Sequence, residues 1–313
     1  MRHIHALTEA SLSQSSVVTI GAFDGVHRGH QHLVKQLVAQ SHHSGHVPVV
    51  LTFYPLPKLI LEGFRPGFYL STPDEKAELL GQLGVELVVT HPFNDEVRHI
   101  RAAAFVASLL KYLKMAEMWV GEDFAMGYQR EGTVDFLREH ASSRGFTLRV
   151  VDLMDAGGER VSSSRVRESL AAGEVAEAAR LLGRPYRVSG EVVPGAQRGK
   201  TLGIPTANLA ISPERAVPRR GVYAGQVYIG GQKGLSAVVN VGSRPTFDST
   251  DVTTIEAHLL DFSGNLYSQT LSLDFVAHLR DERQFHSAEE LVAQIQADIR
   301  SARELLAKIF GTP

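Results

Sequence analysis

The chain has 313 residues, of which 43% are hydrophobic, with 34 acidic against 32 basic side chains and no cysteine. That length exceeds one ordinary domain and that apolar fraction can fill more than one core, so two domains are expected. The balanced charge, with no long basic run, argues against a nucleic-acid polymer as partner, and the lack of cysteine excludes disulfides. The chain shows neither an N-terminal apolar signal region nor any stretch of about eighteen apolar residues, so a soluble, cytoplasmic protein is expected.

The first predicted strand, Val17 to Ile20, runs into Gly21-Ala22-Phe23-Asp24-Gly25-Val26-His27-Arg28-Gly29-His30. A helix from His30 to Gln40 follows, with Leu33, Val34, Leu37 and Val38 at helical spacing. Gly21, Gly25 and Gly29 let the backbone approach a ligand closely, and the helix N-terminus presents unpaired amides to an anion. His27 and His30 can donate hydrogen bonds to a triphosphate whose oxygens gain charge in a transition state. The segment therefore points to a nucleotide phosphate. Two plainer readings stand beside it: Asp24, His27 and His30 as three metal ligands, or a turn carrying surface histidines.

Further strands are predicted at Val47 to Phe53, Leu87 to Thr90, Met118 to Val120 and Thr147 to Val151. The capping box Thr72-Pro73-Asp74-Glu75 opens a helix to about Leu83, and another spans about Ala102 to Leu113. Alternating strands and helices as far as Leu182 predict a parallel sheet covered by helices, with ligands beyond the carboxyl ends of its strands. Both the His-x-Gly-His turn and Gly121-Glu122-Asp123-Phe124 fall at such ends. Val161-Ser162-Ser163-Ser164-Arg165-Val166-Arg167 then opens a helical turn where hydroxyls, amides and two guanidiniums converge. Phosphate suits that set, and an ordinary N-cap is the competing reading.

After Gly183-Arg184-Pro185 the period changes. Val222 to Ile229, Leu235 to Val241, Val252 to Leu260 and Gln269 to Leu279 are alternating or β-branched runs between glycine-rich turns, which predicts an antiparallel barrel or sandwich. A last helix from about Ser287 carries Leu291, Ile295, Ile299 and Leu306 on one face. The expected domains are 1–183 and 184–313.

Five segments in this order resemble the bacterial bifunctional riboflavin kinase/FMN adenylyltransferase (FAD synthetase) family along nearly the whole chain. They are Gly21 to His30, Gly121 to Gly127, Val161 to Arg167, Gly199-Lys200-Thr201-Leu202-Gly203-Ile204-Pro205-Thr206-Ala207-Asn208-Leu209, and Ile255-Glu256-Ala257-His258-Leu259-Leu260-Asp261. The resemblance implies a nucleotidyltransferase-type α/β domain that transfers AMP from ATP to FMN, followed by a β-barrel kinase domain with a C-terminal helix that makes FMN from riboflavin. The expected partners are thus ATP, riboflavin, FMN and FAD, with no nucleic acid and no membrane.

By the same resemblance, His27 and His30 steady the adenylyl transition state, Arg167 with Ser162, Ser163 and Ser164 holds pyrophosphate, and Gly21, Phe23, Asp24, Gly25, Gly29 and Asp123 shape the nucleotide and flavin cleft. In the kinase it implies ATP on Gly199, Lys200 and Gly203, Mg²⁺ on Thr206 and Asn208, Glu256 as base and Arg283 in a flavin-side loop. Spacing alone leaves Pro205 to Asn208 open between a metal-binding loop and a capped strand start. Leu56 stands where the family usually has histidine, Ser164 for threonine, Met126 for phenylalanine and Ser268 for glycine.

Overall fold

The computed structural model describes residues 1–151, 160–195, 203–230, 234–244 and 252–311. It divides into two compact units, one of Met1–Arg65 with Tyr69–Ser163, the other of Pro66–Phe68 with Ser164–Pro313.

The first unit contains β1 (Arg2–Ile4), β2 (Ser16–Ile20), α1 (Arg28–Ser44), β3 (Val47–Tyr54), α2 (Pro57–Glu62), α3 (Pro73–Gln82), β4 (Leu87–Pro92), α4 (Asp95–Arg98), α5 (Ala102–Leu113), β5 (Met115–Gly121), β6 (Ala125–Met126), β7 (Gly132–Thr133), α6 (Val134–Arg144) and β8 (Thr147–Val151). Six strands form a parallel sheet in the order β1-β4-β3-β2-β5-β8, as the alternation of elements predicts. Neighbouring residues of one strand serve opposite faces. Val17 packs with Leu33, Leu37 and Leu80 of α1 and α3, whereas Val18 and Ile20 pack with Phe105, Leu109 and Leu137 of α5 and α6. From β2 the chain steps outward through β3 and β4, then returns to place β5 on the other side of β2. That reversal makes a crevice beyond the carboxyl ends of β2 and β5, where open α/β sheets take their ligands.

The sequence signals at α3 hold in detail. Thr72 caps it, its hydroxyl accepting from the Glu75 amide at 3.2 Å while the Glu75 carboxylate accepts from the Thr72 amide at 3.0 Å.

A helix α7 (Ser163–Ala172) starts at the last residue of the first unit and leads into the second, followed by α8 (Val175–Leu182), β9 (Tyr186–Val193), β10 (Ala207–Ala210), β11 (Gly221–Ile229), β12 (Leu235–Arg244), β13 (Val252–Leu259), β14 (Thr270–Arg280) and α9 (Ala288–Phe310). The strands close an antiparallel barrel in the order β10-β13-β12-β11-β14-β9. This resolves the choice between barrel and sandwich. Helix α9 lays Ala302 and Leu306 against Val222, Ala224 and Val238. Among the described residues no helix is long and apolar enough to cross a membrane.

Candidate active sites

In the first unit, the stretch after β2 folds back under its own helix. Gly21 is glycine because a Cβ there would sit 3.0 Å from the Phe23 ring, and Gly25 takes a left-handed φ of 76°. Phe23 and Val26 also hold positive φ, 46° and 41°, which is strained for an aromatic and a β-branched residue. Strain of this kind persists only where surrounding contacts enforce it. Here Asp24, 1% exposed, enforces it: its carboxylate accepts from the Leu70 amide at 3.0 Å and the Ser71 amide at 3.2 Å, and the Gly25 amide donates to Ser71 Oγ at 3.0 Å. Asp24 thus anchors the turn to the loop ahead of α3, and these contacts explain its burial without a metal. Ser163 Oγ donates to the Asp24 carbonyl at 2.9 Å, which ties the serine segment to the same turn.

The two imidazoles stack, with ring centroids 3.6 Å apart and planes 18° from parallel. His27 caps α1: its Nδ1 accepts from the His30 amide at 3.4 Å, which leaves the ring proton of a neutral His27 on Nε2, a donor. The Phe23 ring lies 4.9 Å from that of His30. Burial, then the neighbouring His27 and Lys76, holds the His30 imidazole well below its ordinary pKa, so it is neutral near pH 7. Its Nδ1 is buried with no hydrogen-bond partner among the described residues.

Lys76, absent from the sequence-based site, lies beneath this turn. Its side chain is buried, and Nζ donates to the Ala22 carbonyl at 2.9 Å and to Thr52 Oγ1 at 3.1 Å. Burial lowers its pKa to about 8, against the opposing pull of Asp24. A helix N-terminus, two stacked imidazoles and a buried ammonium therefore surround the carboxyl end of β2. Such a set favours an anion.

Other predicted residues stand differently. Asp123, in the turn after β5, is exposed and accepts from Arg160 Nη2 at 3.0 Å. Leu56 is 3% exposed and precedes α2, its amide donating to the Tyr69 hydroxyl at 3.1 Å. Ser164 is exposed in the first turn of α7. Arg167 belongs to the second unit, where its Nε donates to the Phe68 carbonyl at 2.7 Å and its guanidinium lies 3.8 Å over the Phe68 ring.

The second unit holds a cavity of about 320 Å³, lined by Thr206, Asn240, Glu256, His258, Arg280 and Arg283 together with Val222, Phe285, Leu291 and Ile295. Strand register sets the neighbours of its acid: Glu256 on β13 pairs with Asn240, which also lines the cavity, on one side and with Asn208 on the other. Thr206 Oγ1 donates to Glu256 Oε2 at 3.3 Å. His258 Nδ1 donates to the Pro205 carbonyl at 2.8 Å, fastening the loop that carries Thr206 to the same strand. A side chain at Gly195 would overlap the Asn208 amide, so the missing side chain keeps Asn208 in place. Opposite, Arg280 donates to both carboxylate oxygens of buried Asp298 at 3.1 Å, and the Arg283 guanidinium lies 4.6 Å over Phe285. Gly203 adopts φ 74°, whereas Gly199 and Lys200 lie outside the described residues. The result is an acid beside oxygen donors at one end of a partly apolar chamber.

A family model described as FAD synthetase matches residues 9–165, and one described as riboflavin kinase matches residues 182–306. The chain is 39% identical over 292 residues to the bifunctional riboflavin kinase/FMN adenylyltransferase of Pseudomonas fluorescens, covering 93% of each chain. It is 36% identical over 305 residues to the protein of that name from Escherichia coli K12, covering 97% of this chain and 96% of that one. A crystal structure described as a macrolide-efflux protein from Streptococcus pneumoniae superposes with a TM-score of 0.87 at 31% identity, covering 96% of this chain and 98% of that one.

Proposed function

The chain belongs to the bifunctional riboflavin kinase/FMN adenylyltransferase family, a transferase that makes FMN from riboflavin and FAD from FMN with ATP, and we propose how its residues divide that work. Residues 184–313 form the kinase and residues 1–183 the adenylyltransferase, both working in the cytoplasm.

In the kinase, Glu256 takes the proton from the terminal ribityl hydroxyl as that oxygen attacks the γ-phosphorus of ATP and ADP leaves. The Thr206 hydroxyl holds the carboxylate toward the chamber. Thr206 and Asn208 offer the oxygen donors a hard dication prefers and would hold Mg²⁺, which when bound offsets charge on the ATP phosphates. Gly203 binds the nucleotide, a role Gly199 and Lys200 share by the family resemblance, and Arg283 with Phe285 borders the flavin.

In the adenylyltransferase, an FMN phosphate oxygen attacks the α-phosphorus in line, the bond to the bridging oxygen breaks, and pyrophosphate leaves. His27 Nε2–H and neutral His30 donate to the oxygens on which charge grows, and the α1 N-terminus adds its amides. Gly21, Phe23, Asp24, Gly25 and Gly29 shape that turn, Asp24 through the loop it anchors. Ser162, Ser163, Ser164 and Arg167 bind the leaving pyrophosphate, and Asp123 lies on the flavin side.

One observation carries this reading: each unit has its own phosphate-suited polar set, His27, His30 and Lys76 in one, Thr206, Asn208 and Glu256 in the other. The test is to incubate purified protein with ATP, Mg²⁺ and either riboflavin or FMN and to resolve the flavins over time. Riboflavin should give FMN and then FAD, and FMN alone should give FAD. A reaction that stops at FMN would contradict the adenylyl half of the reading.

A further inference from the structure

A third constellation lies on the first unit, at the edge of its sheet. β1 carries His3, and His5 lies in the bend just past the strand. Their ring centroids are 4.6 Å apart. Asp74, in the first turn of α3, brings Oδ1 to 3.3 Å from His3 Nδ1. One ligand atom from each of His3, His5 and Asp74 lies within 4.8 Å of the others, the one such group of three among the described residues.

The frame around them is built. The Arg2 amide donates to the Glu86 carbonyl at 2.8 Å, and β1 pairs with β4 from Arg2 to Ile4. The Met1 side chain rests on α3 where Gly81 leaves room, since a Cβ there would lie 3.0 Å from Met1 Cγ. His3 Nε2 is 2.9 Å from the hydroxyl of buried Thr90.

We propose that His3 Nδ1, a ring nitrogen of His5 and a carboxylate oxygen of Asp74 bind a transition-metal dication of the Zn²⁺ type, with water completing the coordination. Two imidazoles and one carboxylate suit Zn²⁺, whereas Mg²⁺ prefers an all-oxygen set. Thr90 can supply the outer contact that metal-bound histidines ordinarily have: with the ion bound, its hydroxyl would accept the Nε2 proton, and the Nδ1 lone pair would face the metal in place of the present contact with Asp74. The exposed side chains of His5 and Asp74 can close the remaining distance by rotation. The ion would fasten β1 to α3, the helix whose Lys76 reaches beneath the nucleotide turn.

The test uses untagged full-length protein stripped with chelator and dialysed. Titration with ZnCl₂ is followed by calorimetry, titration with CoCl₂ by visible absorption, each with and without excess MgCl₂. The expected result is one Zn²⁺ per chain, indifferent to Mg²⁺, with a raised Tm. His3→Ala should abolish it, and Asp74→Asn and Thr90→Val should each weaken it by about tenfold or more. All the substitutions lie outside both catalytic sets, so FMN and FAD formation report that the variants are folded. The proposal is overturned if Zn²⁺ binding is not saturable, if Mg²⁺ displaces it, or if His3→Ala and Asp74→Asn bind as tightly as the parent chain.

Discussion

The two phosphate-handling sites are built by opposite means. In the first unit one continuous stretch, Gly21 to His30, supplies strained turn, helix N-terminus and both imidazoles, and its own buried Asp24, held by the Leu70 and Ser71 amides, together with buried Lys76 of α3 locks it in shape. In the second no stretch suffices: Asn208, Asn240 and Glu256 come from three strands and meet because antiparallel register sets them side by side. A site made from a turn depends on backbone geometry and buried charge. A site made by register depends on a rigid barrel and keeps its chemistry in a few side chains.

Substitutions should separate the two designs, and the largest effect is expected in the barrel. Glu256→Gln should lower the rate of FMN formation by about 10²- to 10⁴-fold, since a positioned base is lost, while FAD formation from supplied FMN persists. His30→Ala should do the reverse, lowering adenylylation about 10²-fold or more with kinase turnover intact. Loss of both activities in either variant would break the comparison. Lys76→Met should cost adenylylation about tenfold, or roughly 1.4 kcal/mol of transition-state stabilisation, and leave the kinase unchanged.

Lys76 also sharpens the comparison through pH. Its folded pKa of about 8 lies below the ordinary lysine value of 10.5. Between those values the unfolded chain binds the extra proton, so this group makes stability rise with pH across that window, while below pH 8 its burial costs stability. Its charge is lost in the opposite sense: adenylylation should fall as pH rises through 8, and Lys76→Met should remove that fall. Rate profiles of both activities on either side of pH 8 check this. The smallest effect is expected from Gly21→Ala, whose new Cβ meets the Phe23 ring and should cost about 1 kcal/mol, visible as a lower Tm and a slower adenylyl step.

How legible the molecule was follows from the same contrast. The strands β2 to β5, the cap of α3 and the apolar face of α9 could be read because apolar runs, capping residues and helical spacing are local signals. β1 could not, since Arg2-His3-Ile4 has too little apolar pattern and is a strand only by pairing with β4. β9 and β10 also escaped. Gly190 interrupts the alternation of β9, and the fold needs it there because the Ala210 carbonyl would overlap a side chain. Lys76 reads as a surface charge, yet it lies one turn before Leu80 on the same helix face, and that phase is the signal that it is buried. Asn240 sits in an apolar run, Val238-Val239-Asn240-Val241, and only register reveals that it faces Glu256. Glu256 itself became a candidate through family resemblance, because alternation alone makes it an outward strand residue.

The most direct test of two separate sites in one chain is complementation. His30→Ala and Glu256→Gln proteins are each incubated with riboflavin, ATP and Mg²⁺, singly and mixed, and the flavins are resolved. The first alone should stop at FMN, the second alone should leave riboflavin unchanged, and the mixture should make FAD. A mixture that fails to make FAD, although the first protein accumulates FMN and the second converts supplied FMN, would contradict sites that work independently.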